Sequence, residues 1–284
     1  MKFSCKTIAA ALAAGTLLGA STGVSATVLY ANGFETNTAG WDVFGGGLNA
    51  TRVATGTGGV PSADGAFHAQ SGTASGAAGN WGGYNFGAGN AVPTAFQSYT
   101  TSIDVYLDVG GPWSNDTRFD FSSAINNASG IFLRDFVFNA GFYDAADMTG
   151  PGAGSDRFVV SASNNAGRAN SFPKNPGRDP VAISTTGWYT FQHVFYEDGG
   201  LLAVDLSILD DVGALLNTWS LGGDAIANVG GNRYGWFASN EFSTLAFDNT
   251  SLSTNAAAVP EPTSMWLLGA GLLGLPLARQ RRKT

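Results

Sequence analysis

The chain reads as an all-β protein: an antiparallel β-sandwich, jelly-roll-like in its strand arrangement, flanked by an N-terminal signal helix and a C-terminal apolar helix. Three observations predict it. Between residues 27 and 254 hydrophobic side chains recur with period two, the spacing that buries one face of a strand. Long amphipathic helical patterns are missing from that span, and clusters of Gly, Asn, Asp and Pro cut it into short runs. The span is also long enough for one substantial core, and sandwiches of that size are commonly single domains.

Two stretches carry the alternation most clearly. Ile103, Val105, Leu107 and Val109 alternate with Ser102, Asp104, Tyr106 and Asp108, and Leu202, Val204, Leu206 and Ile208 alternate with Ala203, Asp205 and Ser207. The first residues of each set are expected to face the core. Further strands are expected at residues 117–121, 131–138, 157–161, 188–196, 215–219, 234–237 and 244–252. Between two of them, Asp198-Gly199-Gly200 supplies residues tolerant of positive φ, as a tight hairpin requires.

Composition narrows the function classes. Forty glycines, 12% charged residues and 12% aromatics, with 19 Phe, describe a chain with too much apolar payload for disorder. The net charge of −7 hides an asymmetry, because six of the 14 Lys and Arg residues lie in the two ends. Residues 27–254 hold 8 Lys and Arg against 20 Asp and Glu, a net charge of −12. Such a domain repels phosphate backbones, which excludes nucleic acid as a partner, and stays compatible with divalent cations and neutral, hydroxyl-rich ligands. The only cysteine, Cys5, precedes the apolar run at the N-terminus, so the mature domain has neither disulfides nor thiolate metal sites.

Both ends read as processing segments. Lys2 and Lys6 form a basic head, residues 7–20 an uncharged apolar run, and Val24-Ser25-Ala26 a small-residue exit: the layout of a secretory signal peptide over residues 1–26, cut after Ala26 by the secretion machinery. At the other end, in the linker and tail of residues 255–284, Val259-Pro260-Glu261-Pro262 precedes an uncharged run over residues 263–278 and the basic cluster Arg279, Arg281, Arg282 and Lys283. The prolines hold an extended, protease-accessible segment. The basic cluster stays on the cytoplasmic side. The apolar run, roughly 16 residues against the ~20 that a span needs, suits temporary retention.

The order Pro-Glu-Pro, short apolar helix and terminal Arg cluster resembles the PEP-CTERM sorting domain over about 26 residues. That resemblance implies recognition by an exosortase-type membrane protease cutting near Pro260 to Pro262, in bacteria that make extracellular polysaccharide. It implies transient membrane anchoring followed by residence at the cell surface or in the matrix. A looser resemblance concerns the domain. Trp188-Tyr189-Thr190-Phe191, the Gly199-Gly200 turn, the strand after it and Phe247-Asp248-Asn249 are similar to concanavalin/laminin-G-like jelly rolls. Gly33-Phe34-Glu35 through Trp41, with Arg52-Val53 and Val60-Pro61, looks like the opening of such modules.

Catalytic constellations are hard to find. Polysaccharide hydrolysis needs two carboxyl groups flanking the bond, and Glu35, Glu197 and Glu241 are isolated. His68 and His193 are too few for a histidine metal site, and His193 shares a strand face with Tyr189, Phe191 and Phe195, the setting of a hydrogen-bonded sheet histidine. Asp104 and Asp108 project from one strand face with Tyr106 between them, and Asp116 and Asp120 follow a Gly110-Gly111-Pro112 turn. These four are the candidate oxygen ligands for calcium. The expectation is a non-enzymatic binding or structural module of the cell surface. A carbohydrate-binding, lectin-like domain that engages extracellular polysaccharide is the alternative, and a polysaccharide hydrolase comes third.

Overall fold

Alternation decides which side of each strand leaves water. In β5, residues Tyr99, Thr101, Ile103, Val105 and Leu107 are buried while Thr100, Ser102, Asp104 and Tyr106 between them are not. The computed structural model describes residues 26–41, 50–75, 79, 95–164 and 173–254. The signal segment and the sorting tail, with the helices expected there, lie outside the described residues.

In chain order the strands are β1 (Val28–Asn32), β2 (Thr51–Ala54), β3 (Phe67–Ser71), β4 (Ala74–Ser75), β5 (Tyr99–Leu107), β6 (Thr117–Asn127) and β7 (Phe132–Tyr143). They continue as β8 (Arg157–Asn164), β9 (Val181–Ile183), β10 (Gly187–Asp198), β11 (Leu201–Leu209), β12 (Leu215–Ala225), β13 (Val229–Asn240) and β14 (Leu245–Thr254). Only short 3₁₀ turns interrupt them among the described residues.

Two antiparallel sheets result. Sheet A runs β12-β11-β10-β5-β14-β3-β2, with β1 also pairing β14, and sheet B runs β4-β13-β6-β7-β8-β9. The last strand, β14, therefore sits between β5 and the N-terminal strands, an interleaving that rules out a simple meander. The Gly199-Gly200 turn has φ of 58° and 82° and joins Asp198 directly to Leu201, the two-residue hairpin the sequence predicts.

The core lies between the sheets and is rich in phenylalanine. Ile103, Val105, Leu107, Val204, Leu206 and Ile208 are fully buried, as the alternation requires. Phe191 and Phe195 of sheet A meet Phe138 and Phe136 of sheet B edge to face, with centroids 5.0 and 5.5 Å apart. Each fully buried side chain of this size contributes roughly 1.5–3 kcal/mol. His193 is enclosed among these rings; one ring nitrogen, Nε2, lies 3.1 Å from the Phe136 carbonyl of the other sheet, and burial pushes its pKa down to about 3. A neutral imidazole that donates across the sandwich is what such a site demands.

The expected strands all exist, most of them longer than the pattern suggested. Strands β1, β2, β3, β4 and β9 were not foreseen, because they are only two to five residues long. Strand β8 has no exposed face, since all eight of its residues are buried.

Candidate functional site

The outward face of sheet A gathers the residues singled out in the sequence. Asp104, Tyr106 and Asp108 follow the outward phase of β5, and the register sets Tyr106 opposite Trp188 and Asp104 opposite Thr190 on β10. The Tyr106 and Trp188 rings meet edge to face at 5.3 Å. Two openings flank this aromatic pair. One is a cleft of about 460 Å³ lined by Asp104, Trp188, Thr190, Asp210 and Asp211. The other is a cavity of about 180 Å³ bounded by Gln70, Tyr106, Asp108, Trp113 and Phe242.

The loop between β2 and β3 closes the third side. Trp188 donates from Nε1 to the Pro61 carbonyl at 3.0 Å, and the Ala63 amide donates to Asp248 Oδ2 at 3.1 Å. His68, fully buried on the outward side of β3, packs edge-on to Trp188 at 6.0 Å, and burial lowers its pKa. Asp248 is sealed beneath the loop, and burial raises its carboxyl to about 6 even though it accepts the amides of Asn249 and Ala63. At the far end of the cavity, Trp113 donates to the Asp108 carbonyl at 2.8 Å. Gly111 is required there, because a Cβ would strike the Trp113 indole.

The four aspartates proposed as calcium ligands are not brought together. Asp104 accepts from Thr190 Oγ1 at 2.6 Å and from Asn249 Nδ2 at 2.9 Å. Asp116 holds Arg118 through two bonds of 2.8 and 2.5 Å. Asp120, on sheet B, accepts from Asn139 Nδ2 at 2.5 Å, and burial raises its pKa. Only Asp104 and Asp108 share a face. Among the described residues no group of three or more His, Cys, Asp or Glu side chains is arranged to hold a metal ion.

The acid-rich loop over residues 144–156 shows how this chain supplies a cation from within. Carbonyls of Asp144, Thr149, Pro151 and Ser155 and the Asp147 carboxylate all accept from the buried Arg157 guanidinium, at 2.7–3.3 Å. Lys174 adds a bond of 2.5 Å to Asp147, and that bond above all holds the carboxyl well below its ordinary range.

Two of the three isolated glutamates are structural too. Glu35 Oε1 accepts the amides of Ala66 and Phe67, and Glu241 accepts the Arg118 amide. The opening motif acts as a clasp: Arg52 donates to the Phe34 and Glu35 carbonyls, and Trp41 packs on Phe247 at 4.6 Å. Trp188, Gln70, Asp210 and Asp211 were missed as site residues, since only register and a folded-back loop bring them beside Asp104 and Asp108.

At the C-terminus, residues 258–283 match the PEP-CTERM protein-sorting motif. The chain carries an exosortase sorting signal. PEP-CTERM proteins are exported and held transiently at the membrane before processing, and this tail marks the chain for that route. No helix among the described residues is long and apolar enough to cross a membrane. No curated protein matches the chain in sequence. Among solved structures, basic winged bean lectin with Tn-antigen is 11% identical with a TM-score of 0.41, covering 82% of this chain and 100% of that one. The CBM2 module of the evolved Dit of Lactobacillus casei BL23 phage J-1 is 11% identical with a TM-score of 0.40, covering 83% and 98%. Lectin I-B4 from Griffonia simplicifolia is 15% identical with a TM-score of 0.35, covering 80% and 98%. Likeness this distant carries no inference about ligand or activity.

Proposed function

We propose that this PEP-CTERM protein is exported through its signal peptide, residues 1–26. The apolar run 263–278 then retains it at the membrane until an exosortase-type protease cuts near Pro260 to Pro262. We further propose that the sandwich is a non-catalytic binding module for a neutral, hydroxyl-rich polymer of the cell surface or matrix. The observation that carries this reading is the Tyr106–Trp188 pair set between two acid-lined openings on sheet A. Sugar rings present apolar C–H faces to aromatic rings and hydroxyl donors to carboxylates, and this face supplies both.

Binding fits better than turnover for a physical reason. Glycoside hydrolysis needs one carboxyl kept protonated near neutral pH beside a second that is ionised. On this face the carboxyl with a raised pKa is Asp248, which the β2–β3 loop shuts off from solvent. Charge selects the polymer, because a domain of net charge −12 repels acidic polysaccharides.

The test is incubation of the purified protein with a panel of neutral and acidic polysaccharides, scoring retention and new reducing ends. Retention by neutral polymers without reducing ends is expected. Reducing ends that vanish in a single Asp variant would overturn the non-catalytic reading.

A further inference from the structure

The paths of the two sheets end on four edge strands, and three of them are stubs: β2 has four residues, β4 two and β9 three. The fourth, β12, has 11. An edge strand offers a row of unpaired N–H and C=O groups to any other extended backbone, and proteins blunt such edges with shortness, Lys, Pro or bulges. Strand β12 keeps a regular six-residue ladder with β11 from Asn217 to Gly222, and its register shifts only beyond either end of that run. Six residues is an ordinary length for a paired strand. Among the described residues, nothing pairs with the far side of β12.

The strand is also chemically bare. Residues 212–223 contain no charged side chain and no proline. Val212, Leu215 and Leu216 are 82%, 61% and 44% exposed, and Thr218, Ser220 and Gly222 are exposed beside them. The one charge on β12, Asp224, is held within the molecule by Arg134 through two bonds of 2.6 and 2.7 Å. The polar side chains turn back into their own domain: Thr218 bonds Ser207, Ser220 bonds Asp205, and Trp219 donates to the Asp179 carbonyl at 2.9 Å. Those bonds hold the strand extended before any partner arrives, which lowers the ordering cost of pairing.

Charge decides what the partner is. A domain of net charge −12 repels an acidic chain, and a basic chain finds no carboxylate to pair with along residues 212–223. An uncharged, partly apolar edge is matched by an edge of the same character. A second copy supplies one of equal length. Antiparallel pairing of two identical strands closes under a twofold axis, so neither copy keeps a free edge there.

We propose that this protein pairs with a second copy of itself through β12, edge to edge and antiparallel, joining the two copies of sheet A into one sheet. The twofold axis of such a pair stands perpendicular to the sheet, so both outward faces of sheet A lie on the same side. The pairing stands on the edge alone. Its consequence, two Tyr106–Trp188 faces engaging one polymer surface together, rests on the sheet A reading as well.

The experiment is sedimentation velocity on the purified full-length protein over a roughly hundredfold range of concentration. No polysaccharide is present, so failure of the sheet A reading is not mistaken for failure here. The parent should pass from monomer to dimer as concentration rises. Thr218→Lys and Leu216→Lys each bring like charges to the join, and each should weaken pairing about tenfold or more. Having two such variants keeps the test available if one does not fold. Gln192→Lys adds the same charge on β10, two strands in from the edge, and should pair as the parent does. Amide hydrogen exchange reads the edge itself: over residues 217–222 it should slow with concentration in the parent and not in the two edge variants. A parent that stays monomeric, pairing that survives both edge lysines, or pairing lost equally in Gln192→Lys would overturn the proposal. So would exchange over residues 217–222 that ignores concentration in a parent that pairs.

Discussion

The two outward faces of the sandwich obey the same alternation and treat their polar groups differently. On sheet A, side chains pair across strands: Ser102 with Ser251 and Ser207 with Thr218, each at 2.8 Å, and Ser220 with Asp205 at 2.6 Å. On sheet B, Asn139 takes hydrogen bonds from Ser163 and Arg178 and gives one to Asp120, while Ser122, Asn126 and Ser161 are buried with atoms left unpaired. Strand period therefore tells which residues leave the core. It does not tell whether they meet water, a neighbouring strand or a gap.

The sharpest way to break the comparison is to exchange core and surface on one strand. Leu206→Asp places an unpaired charge between the sheets and is expected to cost about 4 kcal/mol or more, enough to unfold a marginal domain. Ser207→Asp, one residue along on the outward face, should change stability by less than about 1 kcal/mol. Urea unfolding of both variants measures the difference, and equal losses would refute the assignment of faces.

A smaller effect is expected at Arg157. Replacement by Met keeps the bulk and removes every bond the guanidinium makes to the 144–156 loop, an expected loss of about 2–4 kcal/mol. Arg157→Lys should recover only part of it, since one ammonium cannot reach five oxygens at once. Thermal melting, with proteolytic nicking confined to that loop, is the measurement.

The pH dependence separates the core from the two faces. An unfolded His titrates near 6.5, whereas burial keeps His193 neutral down to about 3. The unfolded chain thus binds a proton that the folded site refuses, and stability falls as pH drops through that window. Asp135 and Asp248, raised from 3.8 to about 6, act in the opposite sense: their folded forms bind the proton first, and they add stability as pH falls from about 6 to about 4. His193→Gln removes the one opposing contribution among these three, so stability should rise more steeply from pH 6 to pH 4 in the variant than in the parent. Urea midpoints measured across that range read the difference in slope.

The smallest expected effect is at the tail. Residues 26–256 form one compact unit, so deleting residues 259–284 should leave the melting temperature of the sandwich within about 1–2 °C while abolishing sorting. A large drop would mean that the sorting tail contributes to the fold.

Much of this architecture was legible in the residues. The alternation in β5 and β11 marks the core because burial of one face forces period two, and Gly199-Gly200 marks its hairpin because positive φ is cheap only for glycine. The sorting tail was legible because it is read as a linear signal. The site was half legible. Asp104, Tyr106 and Asp108 follow from one strand's phase, but Trp188 and Gln70 join them only through pairings between segments distant in the chain. The expected calcium set failed for the same reason: Asp116 and Asp120 are close to Asp108 in sequence and lie across the sandwich or at its edge, each with a partner of its own.

Tyr106 offers the most direct test of the central claim, that the outward face of sheet A holds a neutral polymer without cutting it. Affinity electrophoresis in gels containing a neutral polysaccharide retained by the parent protein would compare Tyr106→Ala with the control Ser220→Ala, which lies on the same sheet away from both openings. The account predicts that Tyr106→Ala loses retention by about tenfold, the worth of one ring-stacking contact, with its melting temperature nearly unchanged, while Ser220→Ala behaves as the parent. Equal retention of the parent, Tyr106→Ala and Asp104→Asn proteins would contradict it.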